Sequence, residues 1–376
     1  MQKIMMLPLL LLCAFVQQGE ARLVATGVSE GMNYGVEEVA RGFGVAWGLA
    51  FITGNEILLT EREGRLQRLN LDSGETTPVA GTPQVWHRGQ GGLLDVAVPP
   101  DFEQGDWIYF TYSKGVDGQG ATTLARARLE DDALIELEEL LVTDSATKTA
   151  RHFGSRIAFD DAGHVFFSIG DRGVRPTAQD RSNHAGSILR LRRDGSVPDD
   201  NPFVEGEGLP EIWCYGLRNT QGLFWDRATG RLWSNDHGPR GGDEINLIRP
   251  GANYGWPVVS HGKEYWGPVA VGEATSKPGM QDPVKVFTPS IAPGSLLVYS
   301  GKAFPRWRGH LFSGALALRH LNRVVLDDED KPVAEERLLS ELRERVRQVV
   351  ESPEGWLYFS TDSGKVFRIR PVIPAS

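Results

Sequence analysis

The chain predicts an all-β fold, a six-bladed β-propeller of four-stranded antiparallel blades. Three observations point there: one strand-and-turn phrase recurs about six times, glycine is abundant at 44 of 376 residues, and sustained helical periodicity is nearly absent. Each copy of the phrase has alternating apolar residues, a turn carrying Gly, Asp or Pro, an aromatic strand, and a last strand ending in Arg-x-Leu or similar. The copies begin at Trp47 (WGLAFITGNEILLTE), Leu93 (LLDVAVPPDFEQGDWIYFTYS), Ser155 (SRIAFDDAGHVFFSIGDRG), Gln221 (QGLFWDRATGRLWSND), Ser295 (SLLVYSGKAFPRWRGHLFSGAL) and Val346 (VRQVVESPEGWLYFSTDSGKVFRIRP). Period-two alternation marks strands with unlike faces, and repetition to the last residues favours a propeller over two packed sandwiches. The stretch Ala334–Arg343, AEERLLSELR, reads as a helix that connects two units.

The N-terminus has a different character. Lys3 precedes the apolar run from Ile4 to Val16, and Gly19 and Ala21 occupy small-residue cleavage positions. This predicts a signal peptide over residues 1–21 and a single propeller domain over 22–376, exported to the periplasm or secreted, with no membrane span. A lipoprotein site at Cys13 fits less well, because Leu12 before it is not small. Of the two cysteines, Cys13 leaves with the signal and Cys214 remains, so no internal disulfide is expected. A net charge of −9 without basic runs argues against nucleic acid as a partner.

In a propeller, the loops at one end of the channel converge, so chemistry is sought at strand edges. Leu217–Pro257 is the densest candidate, with Arg218, Asn219, Asp236, His237, Arg240, Asp243, Glu244 and Asn246 among glycines. Its run HGPRGG presents main-chain oxygens, which suit either a hard cation such as calcium or an ordinary inter-strand loop. His152 precedes the third unit, where an exposed imidazole serves as a general base or is a plain turn histidine. Gln90 holds the matching place in the second unit. Arg345 and Arg347, two apart on a strand, share a face. They suit an anionic planar partner, or else pair with Glu341 or Glu344. Asp171, in IGDRG, reads as a turn residue capping amides. The chain has no P-loop, dinucleotide fingerprint, Cys/His zinc spacing or G-x-S-x-G elbow.

At these residues the chain resembles the soluble sugar dehydrogenases that depend on pyrroloquinoline quinone (PQQ). It is most similar to the periplasmic aldose sugar dehydrogenase branch of the glucose/sorbosone dehydrogenase family. The matching phrases span nearly the whole mature chain: WGLAF, LTEREGRL, GQGGLLDVAVPPDF, HFGSRIAF, SIGDRG, RLRRDGSVPDDNPF, GLRNTQGL, HGPRGGDEIN, NYGWP, PSIAP, GAL and RVRQV. The resemblance implies a six-bladed propeller with PQQ and calcium. Its reaction oxidises the anomeric carbon of an aldose to a lactone, with hydride passing to the quinone. It further implies His152 as the base and Gln90 beside cofactor and substrate. By the same resemblance Arg218 and Asn219 would bind the quinone, Arg345 and Arg347 its carboxylates, and Tyr265 would be a further contact. The resemblance also implies one calcium ion at the carbonyls of Gly238 and Pro239 and a further, structural one at Glu244 and the backbone of Tyr254.

Two positions depart from the family. Ala317 stands after the GAL motif where many relatives carry a cofactor-binding lysine, which leaves Arg319 or the Leu316–Leu318 backbone to make that contact. Arg151 stands before His152 where the glucose-specific branch has an aspartate, and with short loops this implies a broad aldose range. The electron acceptor, a small redox carrier or a cytochrome, and the choice between monomer and homodimer are left open. The rival reading is a non-catalytic propeller that binds carbohydrate or protein after losing the cofactor.

Overall fold

A computed structural model describes residues 21–372, so most of the expected signal segment, Cys13 included, lies outside the described residues. The chain opens with a hairpin of β1 (Arg22–Ser29) and β2 (Met32–Arg41). Five four-stranded antiparallel sheets follow in sequence order. They are β3 to β6 (Ala46–Phe51, Glu56–Glu61, Arg65–Asn70, Thr76–Val79) and β7 to β10 (Leu93–Ala97, Trp107–Val116, Gln119–Glu130, Ala133–Val142). Next come β11 to β14 (Ile157–Phe159, His164–Ile169, Ser187–Arg192, Ile212–Tyr215) and β15 to β18 (Thr220–Asp226, Arg231–Asp236, Asp243–Ile248, Lys285–Phe287). The fifth is β19 to β22 (Pro293–Val298, Leu311–Ala315, His320–Leu326, Pro332–Leu338). The last sheet takes β23 to β25 (Val346–Glu351, Leu357–Thr361, Lys365–Pro371) and is completed by β2, with β1 outside it.

This is the expected six-bladed propeller, and its first strands touch their neighbours in a closed ring, β23 meeting β3. Six apolar clusters fill the six gaps between blades. A blade held between two others has no wet face near the axis. Accordingly β4, β12, β16, β20 and β24 are almost continuously buried, and their apolar runs are less alternating than a one-faced sheet requires. Polar positions collect on the outer strands β10 and β22.

Two elements depart from the sequence reading. Residues 22–41 lie outside the repeat phrase, yet they supply the strand that closes the ring. The stretch 334–343 is not an α-helix: its first part belongs to β22, the outer strand paired with β21, and Ser340–Leu342 form a single 3₁₀ turn. Its four-residue apolar spacing mimics a helix, but β21 needs an outer partner, and Glu335 and Glu336 pair with Lys285 and Arg323, both at N–O distances under 3 Å.

Closure has a polar lock. Glu37 on β2, 4 % exposed, accepts from Arg368 Nε at 2.5 Å and from Arg370 Nη2 at 2.6 Å, both on β25. Burial alone raises a carboxyl, but the two arginines more than offset it and hold Glu37 below its ordinary value. Glu37→Ala leaves two guanidinium groups without their partner at the seam. It should lower unfolding stability by about 2 kcal/mol, less than for a fully buried pair because Arg370 is partly exposed. A urea midpoint that does not move would contradict the lock.

Candidate active site

Two sets of connections reach the same end of the channel. One set leads from an outer strand into the next blade's first strand, and carries Gln90, His152, Arg218, Asn219, Ala292 and Arg345. The other joins the second and third strands within a blade, and carries Arg62, Asp171, His237, Leu316, Ala317 and Asp362. Together they enclose a cavity of about 260 Å³. Trp47, Leu94, Phe153 and Leu316 form apolar walls, and Arg62, Arg345, Arg347 and Asp362 supply charge.

His152 is not the exposed histidine that the sequence suggested. It is 8 % exposed, has a positive φ of 56°, and is followed by Gly154 and Ser155 at positive φ as well. Gly170 lets this bend approach, since a Cβ there would stand 2.3 Å from the His152 carbonyl oxygen. Gln90 Oε1 accepts from the His152 amide at 2.7 Å, which ties the second blade to the third. Below the bend, Arg172 is fully buried, lies 3.4 Å over the Phe153 ring and donates to the Arg151, Gly120 and Thr149 carbonyls. The Arg151 side chain itself is exposed.

Asp171 is the partner that the sequence reading reduced to a turn cap. Its Oδ1 lies 2.6 Å from His152 Nδ1 and accepts from the Gly173 amide at 2.7 Å, while Oδ2 accepts from Trp256 Nε1 at 2.8 Å. Burial foremost, with the nearby Arg218 charge, pushes the His152 pKa below 6.5 against the raising effect of Asp171. Burial favours a protonated Asp171, but its donors prevail and keep it ionised. A neutral ring with Nδ1–H on Asp171 leaves Nε2 as the free base, the arrangement a proton acceptor requires.

The fourth blade builds the opposite wall. Asp236, the end of β16, accepts from the backbone amides of Arg218 (2.9 Å) and Asn219 (2.8 Å) and so shapes their bend. Asn219 Oδ1 accepts from the Gly154 amide, and Gln221 bridges Gly154 to Arg347. Arg218 donates to the His237 and Gly238 carbonyls at 2.8 and 3.2 Å, and Tyr265 Oη lies 3.5 Å from its Nη2. His237 lines the cavity and donates through Nε2–H to the Pro293 carbonyl. Burial drives its pKa down to about 3, so it is a neutral wall rather than a base.

Arg345 and Arg347 do lie on one side, but neither Glu341 nor Glu344 is their partner. Glu344 pairs with Lys365, while both arginines converge on Asp362 with their Nε atoms at 2.8 Å. Arg345 also donates to the Leu316 carbonyl at 2.7 Å. Ala317 and Arg319 are exposed on the turn after Leu316, and the Ala317 amide donates to Ile291.

The proposed metal positions fall in two places. The Pro239 carbonyl accepts from the Gly242 amide and Ser290 Oγ, both at 3.0 Å, and Gly238 accepts from Arg218, so these oxygens already have donors. Glu244 sits across from Asp236 in the β16–β17 ladder, away from the cavity lining, and Tyr254 packs between the third and fourth blades. Burial and then the Asp236 charge raise Glu244 to about 8.

Residues 43–368 match the Glucose / Sorbosone dehydrogenase family profile. The chain belongs to that family and is an oxidoreductase. It is 39 % identical to aldose sugar dehydrogenase YliI of Escherichia coli over 335 residues, covering 86 % of this chain and 90 % of the relative. The apo-form crystal structure of the soluble aldose sugar dehydrogenase from E. coli superposes with a TM-score of 0.86 at 36 % identity, covering 90 % of this chain and all of that one. The PQQ-bound aldose sugar dehydrogenase of Streptomyces coelicolor superposes with a TM-score of 0.75 at 25 % identity, over 90 % of this chain and 98 % of that one. Among the described residues no helix is long and apolar enough to cross a membrane.

The protonation of His152 is directly measurable. Nitrogen-correlated NMR on selectively labelled histidine should show the Nδ1–H tautomer at pH 7 and a titration midpoint below 6.5. A midpoint at or above 6.5 would contradict the burial argument.

Proposed function

We propose that this chain is an exported quinoprotein that oxidises the anomeric carbon of aldose sugars to lactones, with PQQ and calcium as cofactors. The observation that carries the reading is the His152–Asp171 pair, set beside a cavity ringed by guanidinium groups. The family membership and the PQQ-bound Streptomyces relative support it.

The lining suits a planar polyanion: aromatic and aliphatic walls at Trp47, Phe153, Leu94 and Leu316, with more cationic than anionic side chains around them. Arg218, Asn219, Gln90, Arg345 and Arg347 would hold the quinone, with Tyr265 reaching it through Arg218 and the backbone beside Ala317 forming part of the rim. For calcium, the fit is best at Glu244. Asn246 Nδ2 donates to that carboxylate at 3.2 Å while Asn246 Oδ1 is buried without a partner, and the charges around Glu244 are those of Asp236, Asp243 and Asp282; the Tyr254 backbone would be a further ligand. A calcium ion at Gly238 and Pro239 competes with Arg218, Gly242 and Ser290 for the two carbonyls.

When bound, PQQ would supply a carbonyl that accepts hydride; calcium at the Gly238 and Pro239 carbonyls would polarise it as a Lewis acid, whereas calcium at Glu244, away from the cavity, would be structural. The chain's residues do the rest. His152 Nε2 takes the proton of the anomeric hydroxyl. Asp171 fixes the tautomer and stabilises the imidazolium that results. Gln90 holds the His152 main chain, and Arg218 brings positive charge to the quinone side of the site. The electron acceptor would be a small redox carrier or a cytochrome. Residues 1–21 act as a cleaved signal peptide, leaving 22–376 as one domain, monomeric or paired.

Dye-linked oxidation of a panel of aldoses by metal-free apo-protein, with and without PQQ and calcium, tests the reading. Activity should require both additions and vanish in His152→Ala. Asp171→Asn should lower kcat by about 10²- to 10⁴-fold and move the acid limb of the pH profile lower, because the carboxylate that raises the His152 pKa is gone. No dye reduction together with no quinone binding would leave the non-catalytic carbohydrate- or protein-binding propeller. Separately, calcium should raise the melting temperature of the parent but not of Glu244→Gln, and an equal rise in both would move the metal elsewhere.

A further inference from the structure

Arg345 and Arg347 are largely committed to the protein. They share one carboxylate, Asp362, and donate besides to the Leu316 carbonyl and to Gln221. Arg62 lines the same cavity from the β4–β5 turn in a different state, since its Nε is buried and has no hydrogen-bond partner. Its acidic neighbours do not quench it. Glu61 is taken by Arg65, Gln67 and the Gly44 amide, and Glu63 Oε2 is itself buried without a partner.

The main chain under Arg62 is clamped. Its amide donates to the Val45 carbonyl at 3.0 Å, and its carbonyl accepts from the Leu93 amide at 3.1 Å. Gly92 passes so close that a Cβ there would stand 1.7 Å from the Arg62 oxygen. A guanidinium on a fixed backbone, at a cavity wall and with a buried donor unmet, is a cation waiting for an anion.

We propose that Arg62 is a carboxylate-binding arm of the cofactor cavity, receiving one carboxylate of the tricarboxylate quinone. The inference rests on the quinone reading above and adds a residue to it. Arg345 and Arg347 then bind more through the field they share with Asp362 than through free donors, and Arg62 supplies the uncommitted contact that the exposed Ala317 turn does not.

The test is binding rather than turnover. Apo-protein of the parent, Arg62→Gln and Arg62→Lys is titrated with PQQ and with its trimethyl ester, followed by quenching of tryptophan fluorescence, with melting curves to confirm folding. Arg62→Gln should weaken PQQ binding by about 10- to 100-fold, as loss of one charge-assisted hydrogen bond implies, and leave ester binding unchanged. Arg62→Lys should recover part of the loss. Unchanged PQQ affinity in Arg62→Gln overturns the proposal, as does an equal loss for acid and ester, which would make Arg62 a wall of the cavity. If Arg62→Gln does not fold, Arg62→Lys decides: several-fold weaker binding of the acid alone supports the proposal, and parental affinity for both overturns it. A parent that binds neither form refutes the quinone reading itself and is thereby told apart from a failure of Arg62.

Discussion

Ring closure is the constraint on which the rest of this structure depends. Six blades bury their faces only if the last packs on the first, and here the last blade is incomplete until β2 joins β25. That pairing brings the two ends of the chain together at a large loop-closure entropy, and the Glu37 pair with Arg368 and Arg370 sits where it is made. The same hairpin is tied sideways to the fifth blade, where Arg323 bridges Glu30 and Glu336. Closed in this way, the ring sets the first strands of all six blades side by side and makes a site out of loops from every blade.

The site works through desolvation that is only partly compensated. Burial pushes His152 toward its neutral form, and Asp171 keeps its tautomer, so a strong orienting carboxylate does not create a permanently charged ring. The buried Arg172 guanidinium, as a donor, and the buried Asp236 carboxylate, as an acceptor, hold the bends that carry these groups. A fixed main chain is what lets the buried Arg62 Nε stay unsatisfied at the cavity wall, because strain and unmet polarity persist only where the surroundings over-determine the geometry.

Much of the architecture was legible because a repeat imposes its own grammar. The starts of the six units, from Trp47 to Val346, coincide closely with the first strands of the blades, since apolar runs bounded by Gly, Asp and Pro have few other ways to fold. The closing hairpin was missed because it lies outside the repeat, and 334–343 was misread because its leucine spacing fits a helix as well as an edge strand. In the site, Gln90, Asn219, Arg345 and Arg347 line the cavity, with His152 and Arg218 on adjoining bends. Asp362 and Arg62 gave no signal: each stands in an ordinary strand-end turn among charged neighbours, and only convergence distinguishes it.

The sequence by itself determined the strand repeat, the all-β class and the residues at the entry to each blade, because these follow from local apolar pattern and turn chemistry. Only the tertiary structure decided which partners those residues take. Asp171 faces His152 rather than solvent, Asp362 rather than Glu344 receives the arginines, and Arg62 is left without one. Such choices depend on distances between loops far apart in the chain and on how much water the closed ring excludes, and neither quantity is written in any local stretch of residues.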